Sequence, residues 1–276
     1  MSLRRIVVTG GNSGIGFALC KQLALEDGCF VYLGARSLSK AEEAVALLLA
    51  SSPSLAGRLA PLAVDPGFDE TVRAAAASLV GLELYAVVNN AGTGLGHKTA
   101  PEEVLNVNAV GPKRVTEAFL PLLAPGGRVV NVGSGAAGSF VKSQPPEVQK
   151  LLCSPPASWD RLEALLAVKK TDEAFMKDPW GPYGLSKAVL AAYTMLAAKA
   201  APSILFSCVS PGFIATRMTA GLGASKPPEE GTASIRHALF APLAGNGWYY
   251  GSDAIRSPYH FMRNPGEPAY DGVPPY

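Results

Sequence analysis

The sequence predicts an α/β protein with a doubly wound parallel sheet and helices on both of its faces. Short apolar runs rich in Val, Ile and Leu alternate with longer helical patterns, as expected when crossover helices join parallel strands. The first apolar run leads directly into a glycine-rich loop and a helix. The length of 276 residues suits one such domain, and no internal repeat is visible. We therefore expect a single domain over residues 1–276.

The composition argues against several other classes of protein. Hydrophobic residues make up 48% of the chain and charged residues 17%, which provides for a large core and excludes a disordered chain. The formal net charge is +2 with Lys and Arg scattered, so neither nucleic acid nor an anionic membrane is an expected partner. No run approaches the roughly eighteen apolar residues of a membrane helix, and the N-terminal run is too short for a secretory signal. We expect a soluble, cytoplasmic protein.

The cysteine pattern points to the same compartment. None of the four cysteines has C-x-x-C spacing, and three of them fall within predicted strands or helices. They are Cys20, Cys29, Cys153 and Cys208. We interpret them as reduced thiols, and we expect no metal site.

The chain opens with a strand at 6–8, a loop at 9–16 and a helix at 17–24. This context is typical of a nucleotide-binding loop, because small residues let the backbone approach a pyrophosphate and helix NH groups face its charge. The alternative is a tight turn that is rich in glycine for steric reasons alone. The loop residues predicted to bind the cofactor are Gly10, Asn12, Ser13, Gly14, Ile15 and Gly16.

A second strand at 29–34 is followed by Arg36. Dinucleotide folds that prefer NAD place an acid here for the ribose hydroxyl, whereas an Arg suits a 2′-phosphate. No acid is present. Arg36 therefore favours NADP(H), the alternative being an ordinary surface Arg at a strand end.

A helix at 40–50 crosses back to a third strand at 58–64, and Asp65 follows. Asp65 and Pro66 make a good N-cap and N1 pair for a helix that continues to Leu79. We assign Asp65 both to this cap and to the cofactor site.

The fourth strand, at 84–88, ends in two asparagines. Such residues at the carboxyl end of a parallel strand can tie neighbouring strands together and line the crevice where ligands bind. For Asn90 we favour the structural role. The predicted cofactor contacts here are Asn89, Ala91 and Gly92.

The next helix, from Pro101, contains a proline in its interior. Pro112 has no NH group, so the carbonyl of Asn108 loses its helical partner and the helix should kink. The freed carbonyl could hold a water molecule.

A fifth strand at 127–133 ends next to Ser134, and the pattern then lapses over 136–180. A structureless loop of this length is unfavourable in a compact fold, so we expect one or two short helices. An amphipathic segment is formed by Trp159, Leu162, Leu165 and Leu166.

An alanine-rich helix at 181–201 carries Tyr183 and Lys187 one turn apart on the same face. A phenol with a pKa of about 10 exchanges protons poorly at neutral pH, and a neighbouring cation favours the phenolate. The alternative interpretation is a surface Lys beside a half-buried Tyr.

A sixth strand at 204–209 is followed by a break at Pro211 and Gly212. A last helix starts near Pro227 and ends near Phe240. The residues from Trp248 onward contain several prolines and are expected to form ordered coil, with an irregular tail over about 252–276.

Together these motifs resemble the short-chain dehydrogenase/reductase family. The stretches that match are Thr9-Gly10-x-x-x-Gly14-x-Gly16, Asn89-Asn90-Ala91-Gly92, Asn108, Ser134, Tyr183-x-x-x-Lys187 and Pro211-Gly212. The resemblance implies a Rossmann-type fold. The long separation of Ser134 from Tyr183 is similar to the monomeric NADPH-dependent carbonyl reductases and their plant relatives, where an insertion precedes the tyrosine.

The resemblance also implies roles. Tyr183 donates a proton to the substrate carbonyl, Lys187 lowers the pKa of Tyr183 and binds the nicotinamide ribose, and Ser134 hydrogen-bonds the substrate oxygen. Asn108 holds a water that links Lys187 to solvent, and Thr216 fixes the nicotinamide carboxamide. The other implied cofactor contacts are Pro211, Gly212 and Ile214, and the other substrate contacts Phe140, Trp180 and Phe213.

These roles predict an NADPH-dependent reductase of a ketone, aldehyde or quinone. The alternatives are an NADP-dependent alcohol dehydrogenase in the oxidative direction, a non-catalytic NADP-binding sensor or scaffold, and a redox-neutral lyase or epimerase. Since the insertion can cover the face of the tyrosine helix that other members use for oligomerisation, we predict a monomer with a small-molecule substrate.

Overall fold

The computed structural model describes residues 3–156 and 158–273. Its eight strands are β1 Arg5–Val8, β2 Phe30–Ala35, β3 Leu59–Ala63, β4 Leu84–Asn89, β5 Leu123–Val132, β6 Leu205–Val209, β7 Trp248–Tyr250 and β8 Arg256–Ser257. They form one sheet in the order β3-β2-β1-β4-β5-β6-β7-β8, parallel except for β8. The chain direction across the sheet reverses between β1 and β4, so the ligand crevice of such a sheet lies at their carboxyl ends. The predicted doubly wound fold is confirmed.

Helices cover both faces of the sheet. They are α1 Gly14–Leu25, α2 Leu38–Ser51, α3 Asp69–Ala77, α4 Pro101–Leu105, α5 Gly111–Phe119, α6 Gly135–Lys142, α7 Pro146–Cys153, α8 Trp159–Lys170, α9 Glu173–Lys177, α10 Trp180–Ala200 and α11 Ala233–Phe240. Because side chains alternate along a strand, Ile6 and Val8 of β1 pack with α1, α2 and α11, while Val7 packs with α3 and α5.

The break predicted near Pro112 is a π turn over Asn106–Val110, between α4 and α5. The NH of Gly111 bonds the carbonyl of Asn106, five residues earlier. Pro112 then stands in the first turn of α5, where a missing NH costs no helical hydrogen bond. The chain therefore accommodates the proline by widening the preceding turn.

Two local predictions were wrong. Asp65 does not cap the next helix, because α3 begins only at Asp69; its Oδ1 instead accepts a hydrogen bond from the NH of Gly67 at 2.9 Å. The insertion 136–180, described apart from residue 157, contains parts of four helices besides the start of α10, not one or two. The apolar faces of these helices pack on α10, which gives them a surface to cover that the insertion does not have by itself.

The C-terminal segment was also more regular than predicted. Trp248–Tyr250 forms β7, parallel to β6, and Arg256–Ser257 returns antiparallel to it as β8. Three consecutive aromatic residues favour a strand, and β6 offers them a free edge. The rest of the predicted tail is irregular up to Val273, and residues 274–276 lie outside the described part.

Within the described ranges, no helix combines the length and apolar character needed to span a membrane. Over the same residues, no group of acidic, His and Cys side chains is arranged to hold a metal ion. None of the four cysteines, all of which lie in the described ranges, forms a disulfide, and Cys20, Cys29 and Cys208 are buried.

The helix that carries Tyr183 is buried along almost its whole length. Leu162 and Leu166 of α8 join Val189 and Tyr193 of α10 in one apolar cluster. The rings of Trp159 and Tyr193 meet edge to face with centroids 5.8 Å apart. The insertion therefore forms the outer cover of α10.

We predict that Leu162→Ala lowers the free energy of unfolding by about 2–5 kcal/mol, because it leaves a cavity under α8 at a fully buried position. Chemical denaturation measures the change. Val168→Ala, on the same helix but 66% exposed, is the control and should stay within about 0.5 kcal/mol. Equal, small effects of both substitutions would contradict the packing of α8 on α10.

Candidate active site

The glycine loop makes a tight turn from β1 into α1. Gly10 and Gly14 have φ values of +65° and +54°, which glycine adopts without strain. A Cβ on Gly16 would lie 2.3 Å from the carbonyl oxygen of Gly10, so a larger residue would open the turn. The N-cap Ser13 makes no side-chain capping bond and the first turn of α1 contains no acid. The first NH groups of this helix can therefore serve an anion.

The end of β4 is bound to this loop by hydrogen bonds. The hydroxyl of Thr9 accepts from the backbone NH groups of Asn90 and Ala91, both at 3.1 Å. The amide of Asn90 donates to the carbonyls of Thr9 at 2.9 Å and Gly10 at 3.2 Å. These two hydrogen bonds tie β4 to the glycine loop, which is the structural role that the sequence favours for Asn90.

Asn89 lies deeper than its neighbour and is almost fully buried. Its Nδ2 donates to Oδ1 of Asn131 at 2.8 Å and to the hydroxyl of Thr116 at 3.0 Å. Asn131 in turn donates to the hydroxyl of Thr194 at 2.9 Å. The side chain of Asn89 thus ties β4 to β5 and α5 in the interior, and the contact with the cofactor predicted for Asn89 stays a prediction.

A cationic rim borders the crevice on the side of β2. Arg36 follows β2, is exposed, and has no hydrogen-bond or ion-pair partner among the described residues. Partial burial lowers the pKa of His97, and the charges of Arg217 and Arg36 lower it further. Arg36 and Arg217 lie in the segments that follow β2 and β6, and a bound anion would relieve the repulsion between their charges. His97, in the segment after β4, is neutral at neutral pH because its pKa is lowered.

The four proposed catalytic residues come together from three elements: the π turn, the N-terminus of α6 and α10. Ser134 is the N-cap of α6, where its Oγ accepts from the NH of Ala136, and it lies close enough to the phenol of Tyr183 to lower the pKa of that phenol. Nζ of Lys187 donates to the carbonyl of Val132 at 2.8 Å and lies 5.9 Å from the centroid of the Tyr183 ring.

Asn108 lies on the other side of Lys187. A Cβ placed on Gly92 would be in ordinary contact with both groups, 3.4 Å from Oδ1 of Asn108 and 3.6 Å from Nζ of Lys187, so Gly92 lies beside the two side chains. Three hydrogen bonds hold the side-chain amide of Asn108. Its Oδ1 accepts from the NH of Thr93 and its Nδ2 donates to the carbonyl of Thr93, both at 2.9 Å. Its Nδ2 also donates to the hydroxyl of Ser186. The water predicted on its backbone carbonyl stays a prediction.

The pKa values differ from the sequence expectation. Burial raises the pKa of Tyr183, and the hydrogen bond from Ser134 lowers it only in part. Burial lowers the pKa of Lys187 to about 8, although the nearby Cys208 acts in the opposite sense. The expected lowering of the Tyr183 pKa by Lys187 is thus not borne out, because burial dominates. Tyr183 is a phenol at neutral pH, which suits a proton donor.

The helices α6 and α10 cross closely enough to hold Ser134 against Tyr183. A Cβ on Gly184 would be 2.9 Å from the Cβ of Phe140, so the glycine next to Tyr183 permits the approach. Phe140 is therefore both a packing residue and a wall of the adjoining cavity.

That cavity has a volume of about 1050 Å³ and has Ser134 and Tyr183 in its lining. All three predicted aromatic contacts line it: Phe140, Trp180 and Phe213. Sequence reasoning missed Phe261 and Met262 of the C-terminal segment, which line it as well. No spacing or motif marks these two residues, since their backbone is irregular.

The segment after β6 joins the cavity to the glycine loop. Ile214 and Ile15 both pack around Gly231, whose Cβ position is 2.9 Å from one and 3.1 Å from the other. The methyl group of Thr216 is 3.3 Å from the Cβ position of Gly14. Gly212, with a φ of +90°, turns the chain after Pro211. The structure therefore brings the predicted residues of the two loops together.

Comparisons with known proteins agree with this arrangement. A family model described as short chain dehydrogenase matches residues 4–146. Salutaridine reductase of Papaver bracteatum is 29% identical, with 90% of this chain and 94% of that protein covered. Carbonyl reductase (NADPH) 1 of Homo sapiens is 32% identical, with 86% and 91% covered. The solved structure of salutaridine reductase from Papaver somniferum is 28% identical and gives a TM-score of 0.77 over 90% of this chain and 99% of that one.

We predict that Lys187→Met raises the free energy of unfolding at pH 7 by up to about 3 kcal/mol, because it removes a buried charge. The folded pKa of about 8 lies below the ordinary 10.5, so between these values the unfolded chain holds the proton more tightly. Stability of the wild type therefore increases as the pH rises through this window, and the advantage of the variant shrinks. Denaturation at pH 7 and pH 10 measures both effects.

Lys199→Met, at the exposed end of the same helix, is the matched control and should show no such pH-dependent difference. An advantage of Lys187→Met that is absent at pH 7, or that grows with pH, would contradict the buried position of the ammonium group.

Proposed function

The chain belongs to the short-chain dehydrogenase family, and from this premise we propose that it is an NADPH-dependent reductase of ketone, aldehyde or quinone carbonyl groups, with Tyr183 as the proton donor. The observation that carries the proposal is the pairing of Tyr183 with Ser134 in the wall of a large cavity, with Lys187 beside them. Its relatives include enzymes named as reductases of carbonyl compounds.

The residues at the crevice fit the cofactor. The free NH groups of α1 and the glycine loop suit a pyrophosphate, and Arg36 suits a 2′-phosphate. Arg217 adds positive potential on the same side. Thr216 and Lys187 would hold the nicotinamide end. When bound, NADPH supplies the hydride for the carbonyl carbon.

The protein supplies the proton and stabilises the developing charge. Tyr183 gives its phenolic proton to the carbonyl oxygen, and the hydroxyl of Ser134 donates a hydrogen bond to the same oxygen. The ammonium group of Lys187 stabilises the phenolate that Tyr183 becomes, and it is kept in place by the carbonyl of Val132. Asn108 then fits the predicted route by which solvent restores the proton.

Arg36 supports the reductive direction, because it suits NADP(H) and NADPH usually drives reduction. An alcohol dehydrogenase working in the opposite direction uses the same residues, with the Tyr183 phenolate as base. A non-catalytic sensor would not need Ser134, Tyr183 and Lys187 in contact around a cavity. A redox-neutral lyase or epimerase differs in that it consumes no NADPH.

We also infer a monomer in the cytoplasm. In support, the insertion helices bury the face of α10 that oligomeric members of the family would use. Four cysteines without a disulfide among the described residues, three of them buried, suit a reducing compartment.

The test of the proposed activity is NADPH consumption, followed at the nicotinamide absorbance band with a panel of ketones, aldehydes and quinones. The wild type should consume NADPH with some of them, and Tyr183→Phe should lose at least about 100-fold in kcat, because it removes the proton donor. Tyr193→Phe is the control: it lies on the same helix but packs on Trp159, and it should keep full activity. Cofactor binding without turnover across the panel would favour a sensor or a redox-neutral enzyme.

Arg36 is expected to set the preference for NADPH over NADH. Arg36→Ala should raise KM for NADPH about tenfold or more, because it removes a charge-assisted contact with the 2′-phosphate, and should leave KM for NADH within about twofold. Steady-state kinetics with both cofactors measures it. Lys40→Ala, an exposed cation in the first turn of α2, controls for the general loss of positive charge. An equal change in KM for NADPH and NADH would show that Arg36 does not bind the 2′-phosphate.

A further inference from the structure

The C-terminal segment places two large apolar side chains at the substrate cavity. Phe261 and Met262 line it and are 38% and 52% exposed, respectively. Side chains of this size are normally buried, and their exposure toward a cavity is typical of a surface that receives an apolar ligand.

Both residues are fitted closely against α6, next to Ser134. The sulfur of Met262 is 2.7 Å from the position that a Cβ would take on Gly135. The backbone carbonyl of Phe261 is 2.6 Å from the corresponding position on Gly138. Since α6 begins directly after Ser134, the C-terminal segment stands beside the residue that bonds the substrate oxygen.

A buried guanidinium holds this segment in place. The side chain of Arg263 is only 3% exposed, and its Nε donates to the hydroxyl of Ser257 at 3.0 Å. One terminal nitrogen donates to the carbonyls of Asn264 at 3.1 Å and Glu267 at 2.5 Å, and the other forms an ion pair with Asp253. Residues 258–273 form no helix or strand, so these bonds take the place of regular backbone pairing.

The backbone at Gly251 approaches the guanidinium of Arg263 closely. A Cβ on Gly251 would lie 3.1 Å from its NH2 nitrogen and 2.9 Å from Oδ1 of Asp253. Asp253 additionally accepts from the backbone NH groups of Ile255 and Gly266, both at 3.3 Å. The guanidinium therefore connects the turn between β7 and β8 to the residues on either side of the cavity wall.

We propose that Phe261 and Met262 form a specificity wall that selects bulky, largely apolar ketones, and that Arg263 is the positioning residue that holds this wall. Phe140, Trp180 and Phe213 provide further apolar lining, while Ser134 and Tyr183 supply the polar contacts. The predicted cofactor contacts Pro211, Gly212 and Ile214 line one part of this cavity of about 1050 Å³, so the nicotinamide end shares the space with the substrate. In the remaining space a fused-ring ketone can contact the wall while its carbonyl reaches Tyr183, whereas a small ketone makes few contacts with it. This inference rests on the proposed function.

The first experiment compares ketones of increasing ring number. With NADPH, kcat/KM is measured for cyclohexanone, decalone and androstanone in the wild type, Phe261→Ala, Met262→Ala and the control Val273→Ala, an exposed residue further along the same segment. The wild type should prefer androstanone, and each wall variant should lower the ratio of androstanone to cyclohexanone about tenfold, mainly through KM. Val273→Ala should match the wild type.

A wild type without preference for larger ketones, or wall variants that retain the preference, would overturn the specificity wall. The absence of NADPH consumption with the whole panel is a different result, because it removes the proposed function itself.

The second experiment tests Arg263 with Arg263→Lys and Asp253→Asn, which keep most of the side-chain volume but lose the fork or its counter-charge. Thermal melting identifies the variant that remains folded. In that variant KM for androstanone should rise about tenfold, with KM for NADPH within about twofold, and trypsin should cleave the C-terminal segment before the body. A merely structural role would change the melting temperature without this selective change in KM, and that result would overturn the assignment.

Discussion

The active site depends on a hydrogen bond from the buried ammonium of Lys187 to the carbonyl of Val132. It joins α10 to the last residue of β5, and Ser134 stands two residues beyond that carbonyl. A buried charge without such a partner would be too costly to retain, so the bond restricts where α10 can lie on the sheet. Tyr183, one turn earlier on the same helix, is thereby brought to Ser134.

Buried amides extend this constraint through the sheet. Asn89, Asn131 and Thr194 form a chain from β4 through β5 to α10, with Thr116 at the α5 end. Inside a protein such hydrogen bonds are strong when satisfied and costly when broken. The network therefore keeps the cofactor crevice, built on β1 and β4, in register with the catalytic residues on β5 and α10.

The two irregular parts of the sequence complete the site from outside the sheet. The insertion folds into short helices whose leucines cover α10. The C-terminal segment adds β7 and β8 and then returns across α6, where Gly135 and Gly138 leave room for it. Neither part has a strong pattern of its own, because each becomes ordered only against a surface that the rest of the chain provides.

The sequence by itself determined the α/β architecture, the six principal strands, the nucleotide loop and the identity of the paired residues Tyr183 and Lys187, because these follow from local periodicity and from motifs of neighbouring residues. Only the tertiary structure decided that burial raises the pKa of Tyr183, that the side chain of Asn89 bonds in the interior, that Asp65 bonds Gly67 instead of capping α3, and which residues of the C-terminal segment line the cavity. Burial and contacts between distant residues depend on where whole elements pack, and no local pattern in the chain records them.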